Sequence, residues 1–390
     1  MTKKKVLVTA STFPRWEQDT EPRFILDYCI GLSKYYDVTA LVPAAPGASD
    51  EENLEGIHVI RYHYFPIHKL ETLCYPGAIV PRIKEKKSRA LLVPFLFLAL
   101  FFNLRKYEKQ HDFIHAHWLI PQGIVHAFCK KPYIVTGHGG DVGELNGSVF
   151  HWLKSKCLKK AKAVTVVSKH LGAILKDKYG YANTSVISMG CNTSYFSPIN
   201  KVENYYSQGS QKVILFVGRL AEKKGVPYLI QAMQSVDARL VIIGKGPLEQ
   251  ECRSLVKELH LESKVHFPGP MPHTKLRAAY ASADIFAAPS ITAKSGDVEG
   301  FGLVILEAMA SGLPVIASNS GGIPDIIRHG ENGLLAEEKN VSQLADCINE
   351  LLHNQELYSK LSAASLETAA RFDYSVIAEK YYQIIENSCQ

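Results

Sequence analysis

At 390 residues the chain exceeds the size at which one hydrophobic core usually stops growing, so it is expected to divide into two domains. With 46% hydrophobic and 21% charged residues it is ordinary globular material, which excludes long disordered stretches. The net charge of +6 is unevenly held: residues 1–195 carry 26 Lys+Arg against 16 Asp+Glu (+10), and residues 196–390 carry 18 against 22 (−4), so the first half suits an anionic partner.

The chain opens on MTKKKVLVTAS, whose apolar run is too short for a signal peptide. KVLVTAS, 5–11, is the first of a series of Val/Ile-rich strand candidates that continues at 37–43, 57–65, 113–118, 133–139, 163–168 and 184–190. They show little strict alternation, as strands buried on both faces of a parallel sheet do. Helical segments lie between them, among them 22–35, 149–161 and 169–178. Pro22 is expected in a first turn, with Asp19 or Thr20 near the cap. The loop after the first strand, STFPRWEQDTEPRF (11–24), holds Arg15, Trp16, Asp19 and Arg23. Residues 91–104 form an almost wholly apolar run between two basic flanks. As a helix it would be about 21 Å long, short of a roughly 30 Å hydrocarbon core, so it is expected not to span a membrane. Two readings stand: a helix buried inside its own domain, or one lying on an anionic leaflet. In the second, Arg82, Lys84, Lys86, Lys87, Arg89, Arg105, Lys106 and Lys109 would meet headgroups. In HAHW, 115–118, His115 and His117 are expected to face opposite sides of the strand and to serve as strand-end and core residues, not metal ligands. TGHGGD places His138 between glycines at a predicted strand end, followed by Gly139 and Asp141.

The turn-rich stretch 191–212 reads as a linker. The pattern then restarts, with strands expected at 213–219, 239–246, 264–269, 284–290 and 313–318. Two successive β-α-β series predict an α/β protein of two doubly wound domains, 1–190 and 213–370, facing each other across a cleft. A last helix at 371–390 is expected to pack back on the first domain. The eight cysteines are scattered, with no C-x-x-C pair and no zinc spacing, so they read as reduced thiols of a cytoplasmic protein.

Ligands in such sheets bind beyond the carboxyl ends of the strands. There, VGRLAEKKG brings Gly218, Arg219 and Lys224 before a helix start near Val226–Pro227, an arrangement suited to a phosphate or diphosphate. GKGP supplies a turn at Gly244, Lys245 and Gly246 where a ligand can approach the backbone. EGFGLVILE sets Glu299 and Glu307 around Phe301, Gly302 and Leu303. Glu307 follows four aliphatic residues, where a carboxylate is costly unless something pairs with it. Two adjacent ribose hydroxyls would satisfy it.

Taken in order, VGRLAEKKG, GKGP, APS, EGFGLVILEAMASGLPVIAS, GGIPDII and GENGLL resemble the nucleotide-sugar domain of retaining glycosyltransferases of family 4, which have the GT-B fold. The resemblance is strong from 213 to 336 and looser before that. It implies that Arg219 and Lys224 neutralise the donor diphosphate and that Glu307 holds the ribose. Glu299, with backbone at Phe301 and Gly302, would contact the transferred sugar, and the Leu303 amide a phosphate. Gly244–Gly246 and the stretch Gly269–Met271 would line the base pocket. His138 would reach the donor sugar. The family's usual pair of glycines in the first loop is missing here. Bulky Trp16 and cations Arg15 and Arg23, with Asp19, Gly139 and Asp141, are therefore candidates for a different acceptor contact.

The resemblance implies sugar transfer from a nucleoside-diphosphate sugar, UDP- or GDP-linked, to a hydroxyl. The acceptor expected is a lipid-linked saccharide in cell-surface polysaccharide or lipopolysaccharide synthesis, met at the cytoplasmic face of the inner membrane. Retention is expected, with no cofactor and no metal, since the nucleotide half lacks a D-x-D motif. A nucleotide-sugar epimerase and a non-catalytic sugar-nucleotide sensor are the alternatives. Nucleic acid is not an expected partner, because no recognised module accompanies the basic half.

Overall fold

Val- and Ile-rich runs without alternation become strands covered on both sides. A computed structural model describes residues 3–145, 147–206 and 211–388. It divides the chain into two units, Met1–Met189 with Tyr374–Gln390, and Gly190–Asp373.

The first unit runs β1 (Lys5–Thr9), α1 (Phe24–Leu32), β2 (Asp37–Pro43), β3 (Glu51–Leu54), β4 (Ile57–Tyr62), α2 (Ile79–Glu85), α3 (Val93–Tyr107), β5 (Phe113–His117), α4 (Ile124–His126), β6 (Tyr133–Gly137), α5 (Gly140–Gly143), α6 (Ser148–Lys160), β7 (Ala163–Val166), α7 (Lys169–Tyr179) and β8 (Thr184–Val186). Its sheet has the order β3-β4-β2-β1-β5-β6-β7-β8. All neighbours are parallel except β3, which is antiparallel to β4. β3 was not legible as a strand: EENL has no apolar run, and its pairing comes from the turn at Glu55 and Gly56, both at positive φ (50° and 87°).

α1 begins at Phe24, one residue after Arg23, so Pro22 precedes the first turn. Asp19 does not cap it; its carboxylate takes the Thr20 amide and the Arg15 side chain instead. The apolar helix is longer than 91–104 suggested. A helical stretch over Lys87–Gln110 is long and apolar enough to cross a membrane by length and composition. One stripe of it, Leu92, Leu96, Leu100 and Leu104, is buried against the unit.

The second unit runs β9 (Val213–Val217), α8 (Val226–Ala232), β10 (Arg239–Ile243), α9 (Glu249–Glu258), β11 (Val265–Gly269), α10 (His273–Ala281), β12 (Ile285–Ala288), α11 (Leu303–Ala310), β13 (Val315–Ser318), β14 (Leu334–Ala336), α12 (Val341–His353) and α13 (Gln355–Ala370). Its sheet is wholly parallel, in the order β11-β10-β9-β12-β13-β14. Residues 191–206, expected as a linker, pack into this unit. Cys191 bridges to Asp373, and Phe196 is buried with its ring edge-on to Tyr280 at 5.5 Å. Residues 207–210 of that stretch lie outside the described residues.

The chain then re-enters the first unit as α14 (Tyr374–Ser388); residues 389–390 of the expected helix lie outside the described residues. α14 lies on α1 at Gly31, where a Cβ would come within 3.0 Å of the Tyr374 carbonyl oxygen and 3.1 Å of Ala378 Cβ. Tyr381 is fully buried there, its ring 5.0 Å from that of Tyr28.

Strand order reverses between β1 and β5 in one sheet and between β9 and β12 in the other. Crevices open at the carboxyl ends of strands at such reversals.

Candidate active site

In the second unit four strand ends are stitched into one rim by their backbones. The Gly218 amide donates to the Ile243 carbonyl at 3.0 Å, and Leu220 to Lys245 at 3.0 Å, joining the loops after β9 and β10. The Ile291 amide donates to the Lys223 carbonyl at 2.8 Å, joining the loop after β12. The Gly322 amide, after β13, donates to the Glu299 carbonyl at 2.9 Å. Glycine is required where backbones meet this closely. A Cβ on Gly244 would lie 1.9 Å from the Gly218 oxygen, and one on Gly225 1.8 Å from the Pro289 oxygen.

On this rim Lys224 and Glu299 form an ion pair, their side chains 16% and 14% exposed. Lys223 pairs with Asp297 at 3.1 Å, and the Glu222 carboxylate accepts the Lys294 amide at 3.0 Å. The acidic loop is thereby clamped onto the cationic one. Burial pushes the Glu299 carboxyl up, but Lys224 and then Lys223 outweigh it, leaving the group below the ordinary glutamate value. Three residues on, Gly302 stands in the left-handed region (φ 104°, ψ 56°) and opens α11 at Leu303. The first amides of a helix have no partner within it and favour an anion.

Glu307, one turn into α11, is half-buried, and one of its oxygens accepts the Tyr280 hydroxyl at 2.8 Å. That phenol, fully buried on α10, is the protein's own answer to a carboxylate behind four aliphatic residues. Arg219 is exposed at the end of β9, and Lys245 is exposed after β10. Gly246 packs against Leu220, where a Cβ would lie 2.3 Å from its carbonyl oxygen. Met271, half-buried after β11, has its sulfur 3.9 Å from the Tyr205 hydroxyl. Phe301 is buried beside Phe372, so its backbone is the part near Glu299, and its amide hydrogen-bonds the Glu299 carboxylate.

In the first unit His138 follows β6 and is part of a histidine chain. Its Nε2 lies 3.0 Å from His117 Nδ1, and the Trp118 ring covers it at 4.7 Å. His115 and His117 do not face opposite sides: residues two apart on a strand share a face, and their rings lie 4.1 Å apart. Burial drives His138 down to about 3, so it is a neutral imidazole at physiological pH. Asp141 is a brace for this turn. Its carboxylate accepts the amides of His138 (3.1 Å), Gly139 (2.8 Å) and, with its other oxygen, Leu119 (2.8 Å). Both oxygens are thus engaged with backbone.

The first-loop candidates are also engaged. Arg15 holds Asp19 through two nitrogens at 2.9 and 2.8 Å, with its guanidinium over Trp16 at 3.9 Å and Tyr75 at 4.2 Å. Trp16 itself is 41% exposed. Arg23 ties Asp27 (3.0 Å) to Glu55 (2.6 Å) across the foot of α1. Among the described residues no cluster of three or more His, Cys, Asp or Glu is placed to hold a metal ion.

Residues 200–368 match the family model for glycosyl transferases group 1, and residues 22–195 match that for glycosyltransferase family 4. An uncharacterised glycosyltransferase of Methanocaldococcus jannaschii is 32% identical over 324 residues, covering 77% of this chain and 77% of that protein. The chain belongs to glycosyltransferase family 4, the glycosyl transferases group 1. This glycosyltransferase is also similar to the GDP-mannose-dependent α-(1-6)-phosphatidylinositol monomannoside mannosyltransferase of Mycobacterium tuberculosis. Those two are 31% identical over 259 residues, 63% of this chain and 67% of the relative. Its fold is shared with sucrose-phosphate synthase of Thermosynechococcus elongatus, at a TM-score of 0.77 and 21% identity over 99% of each chain. The fold is GT-B, built of two Rossmann-like domains.

For this glycosyltransferase the motifs located Lys224, Glu299, Glu307 and the α11 start on one rim, but not what holds them. Tyr280 lies in an unremarkable helical run, LRAAYA, and no spacing links it to Glu307. The Lys223–Asp297 clamp is equally silent in sequence, since it joins two loops 74 residues apart.

Proposed function

We propose that this glycosyltransferase moves a sugar from a nucleoside-diphosphate sugar to a hydroxyl of a lipid-linked acceptor, with retention and without a metal. The observation that carries the donor assignment is the Lys224–Glu299 pair beside the α11 start, at the strand-order reversal of the second sheet. In this reading the sugar C1–phosphate bond breaks and the acceptor oxygen bonds to C1. The hydroxyl proton leaves on the departing phosphate. Charge accumulating on that phosphate is met by Lys224, Arg219 and the first α11 amides, each such donor being worth about 10²–10³ in rate. Glu307, oriented by Tyr280, takes the ribose hydroxyls. His138, a neutral imidazole, serves as a hydrogen-bonding group rather than a proton donor. Retention rests on the resemblance to retaining transferases. The lipid acceptor is supported by the phosphatidylinositol monomannoside in the name of the mycobacterial relative, and in this reading the enzyme would meet it at the cytoplasmic face of a membrane.

The test is transfer from labelled UDP- and GDP-sugars to lipid extracts, with and without EDTA, and NMR of the product anomer. Transfer with a retained anomer in EDTA is expected. Donor binding without turnover would leave a sensor, and epimerised donor an epimerase.

A further inference from the structure

The first unit carries a bare apolar face. Of α3 only Leu96, Leu100 and Leu104 are buried, a stripe that Leu92 of the preceding 3₁₀ turn extends. On its other faces Leu98 is 56% and Phe102 65% exposed, and Leu91 of the preceding turn 74%. A groove of about 430 Å³ leads from Leu98 and Phe101 on α3 to Phe128 and to Leu153 on α6. Beside it Trp152 is 56% exposed. Apolar surface is therefore continuous from α3 to α6. A helix turned to water carries Lys and Glu there, and contiguous apolar patches of this kind mark contact surfaces.

The rim of this face is cationic and its acids are already spent. Lys84, Lys86 and Lys87 on one flank and Lys106 and Lys109 on the other are exposed, Lys84 standing 4.0 Å from the Glu144 carboxylate. Glu85 is paired with Arg82 (2.7 Å) and Arg89 (3.1 Å), and Glu108 with Arg105 (2.8 Å). On α6 the Lys156 ammonium sits over the Phe128 ring at 3.9 Å and near the Trp152 ring at 5.2 Å.

We propose that the α3–α6 face docks this enzyme peripherally on an anionic lipid bilayer, α3 lying in the plane of the interface. The proposal rests on the lipid-acceptor reading and names the surface where such an acceptor is met. Charge complementarity selects this occupant. A second copy would bring two cationic rims together, whereas anionic headgroups neutralise one. The buried leucine stripe ties α3 to its own unit, which leaves it one side for protein and the rest for lipid, as a helix lying in the interface requires. Exposed Leu and Phe then enter the acyl boundary, with Trp152 at headgroup depth. Each cation near the surface adds about fivefold to partitioning, less with salt.

The full-length chain is sedimented with phosphatidylcholine vesicles, with and without phosphatidylglycerol. Two variants are compared, Lys84→Glu/Lys86→Glu/Lys87→Glu and Leu98→Ser/Phe102→Ser. Wild type is expected to bind only the anionic vesicles. Either variant, or salt raised to about 0.5 M, should weaken that binding at least about tenfold. Melting temperature and nucleoside-diphosphate binding should stay unchanged in both. Equal binding to the two vesicle types would overturn the proposal, as would undiminished binding by both variants. So would a concentration-dependent dimer, without vesicle binding, that Leu98→Ser/Phe102→Ser dissolves. If vesicle binding persists while only water-soluble acceptors are glycosylated, the lipid-acceptor reading fails and the docking surface stands.

Discussion

Lys224 and Glu299 each keep the other's charge acceptable in a half-buried place, and a diphosphate there must share the Lys224 ammonium. The pair therefore has a measurable electrostatic signature. Burial alone raises the Glu299 pKa; Lys224 and Lys223 bring it below the ordinary value. A depressed carboxylate stabilises the fold above its unfolded pKa, and that contribution is lost as pH falls through the folded value. Lys224→Met removes the largest opposing charge, so Glu299 should titrate higher, stability at neutral pH should fall, and the further loss on acidification should be shallower than in wild type. Lys224→Met/Glu299→Gln should recover neutral-pH stability relative to Lys224→Met; an acid limb as steep as wild type's in Lys224→Met would show the pair to be uncoupled. Gly225 gives a second residue-scale prediction. At φ 63°, with a Cβ 1.8 Å from the Pro289 oxygen, Gly225→Ala must displace the loop after β12 from Lys223. Destabilisation of at least about 2 kcal/mol is expected in urea melts. Glu307 was readable as a carboxylate in need of a partner because its neighbours are aliphatic, but its partner Tyr280 was not: that hydrogen bond exists only once α10 and α11 pack together.

Elements with a strong apolar run were legible from sequence, and those without were not. β5, β6, β9 and β12 announce themselves through Val, Ile, Phe and Ala, whereas β3 has only the polar EENL and β14 only three residues. Both lie on sheet edges, where half the burial that shapes a strand pattern is missing. The apolar helix was legible as an element but not in extent, because its ends at Lys87 and Gln110 are 3₁₀ turns carrying polar residues. The return of α14 to the first unit is set by packing at Gly31 and Tyr381. Gly31→Leu should overpack the α1–α14 contact and cost about 1–3 kcal/mol, read as a lowered melting temperature of the first unit. A melting temperature equal to wild type would mean that α14 contributes little there.

Over the whole molecule, chain length and the two β-α-β series made the two units readable, and the ordered motifs from VGRLAEKKG to GENGLL made the GT-B fold readable by resemblance. The division of labour between their buried polar groups was not. The first unit buries His115, His117 and His126 and half-buries His138 as neutral rings, desolvation holding His126 and His138 at about 3. For a histidine lowered on folding, the unfolded chain takes up the proton first. Stability is thus full above pH 6.5 and falls as pH drops toward the folded values, by up to about 1.4 kcal/mol per pH unit for each ring. His63, which burial lowers but Glu71 and Asp50 raise on balance, opposes them. The first unit should therefore unfold ahead of the second on acidification, visible as two transitions in circular dichroism between pH 6.5 and 3. A single transition would contradict it. The central claim, a nucleoside-diphosphate site on the rim of Lys224, Glu299 and Glu307, is tested most directly by calorimetric titration. UDP and GDP are titrated into wild type, Lys224→Ala and Glu307→Ala. The account predicts that one nucleotide binds wild type. Each substitution should weaken it about 10- to 100-fold, the worth of a hydrogen bond to a charged group, in variants that circular dichroism shows to be folded at the titration temperature. Unchanged affinity in both variants would contradict it.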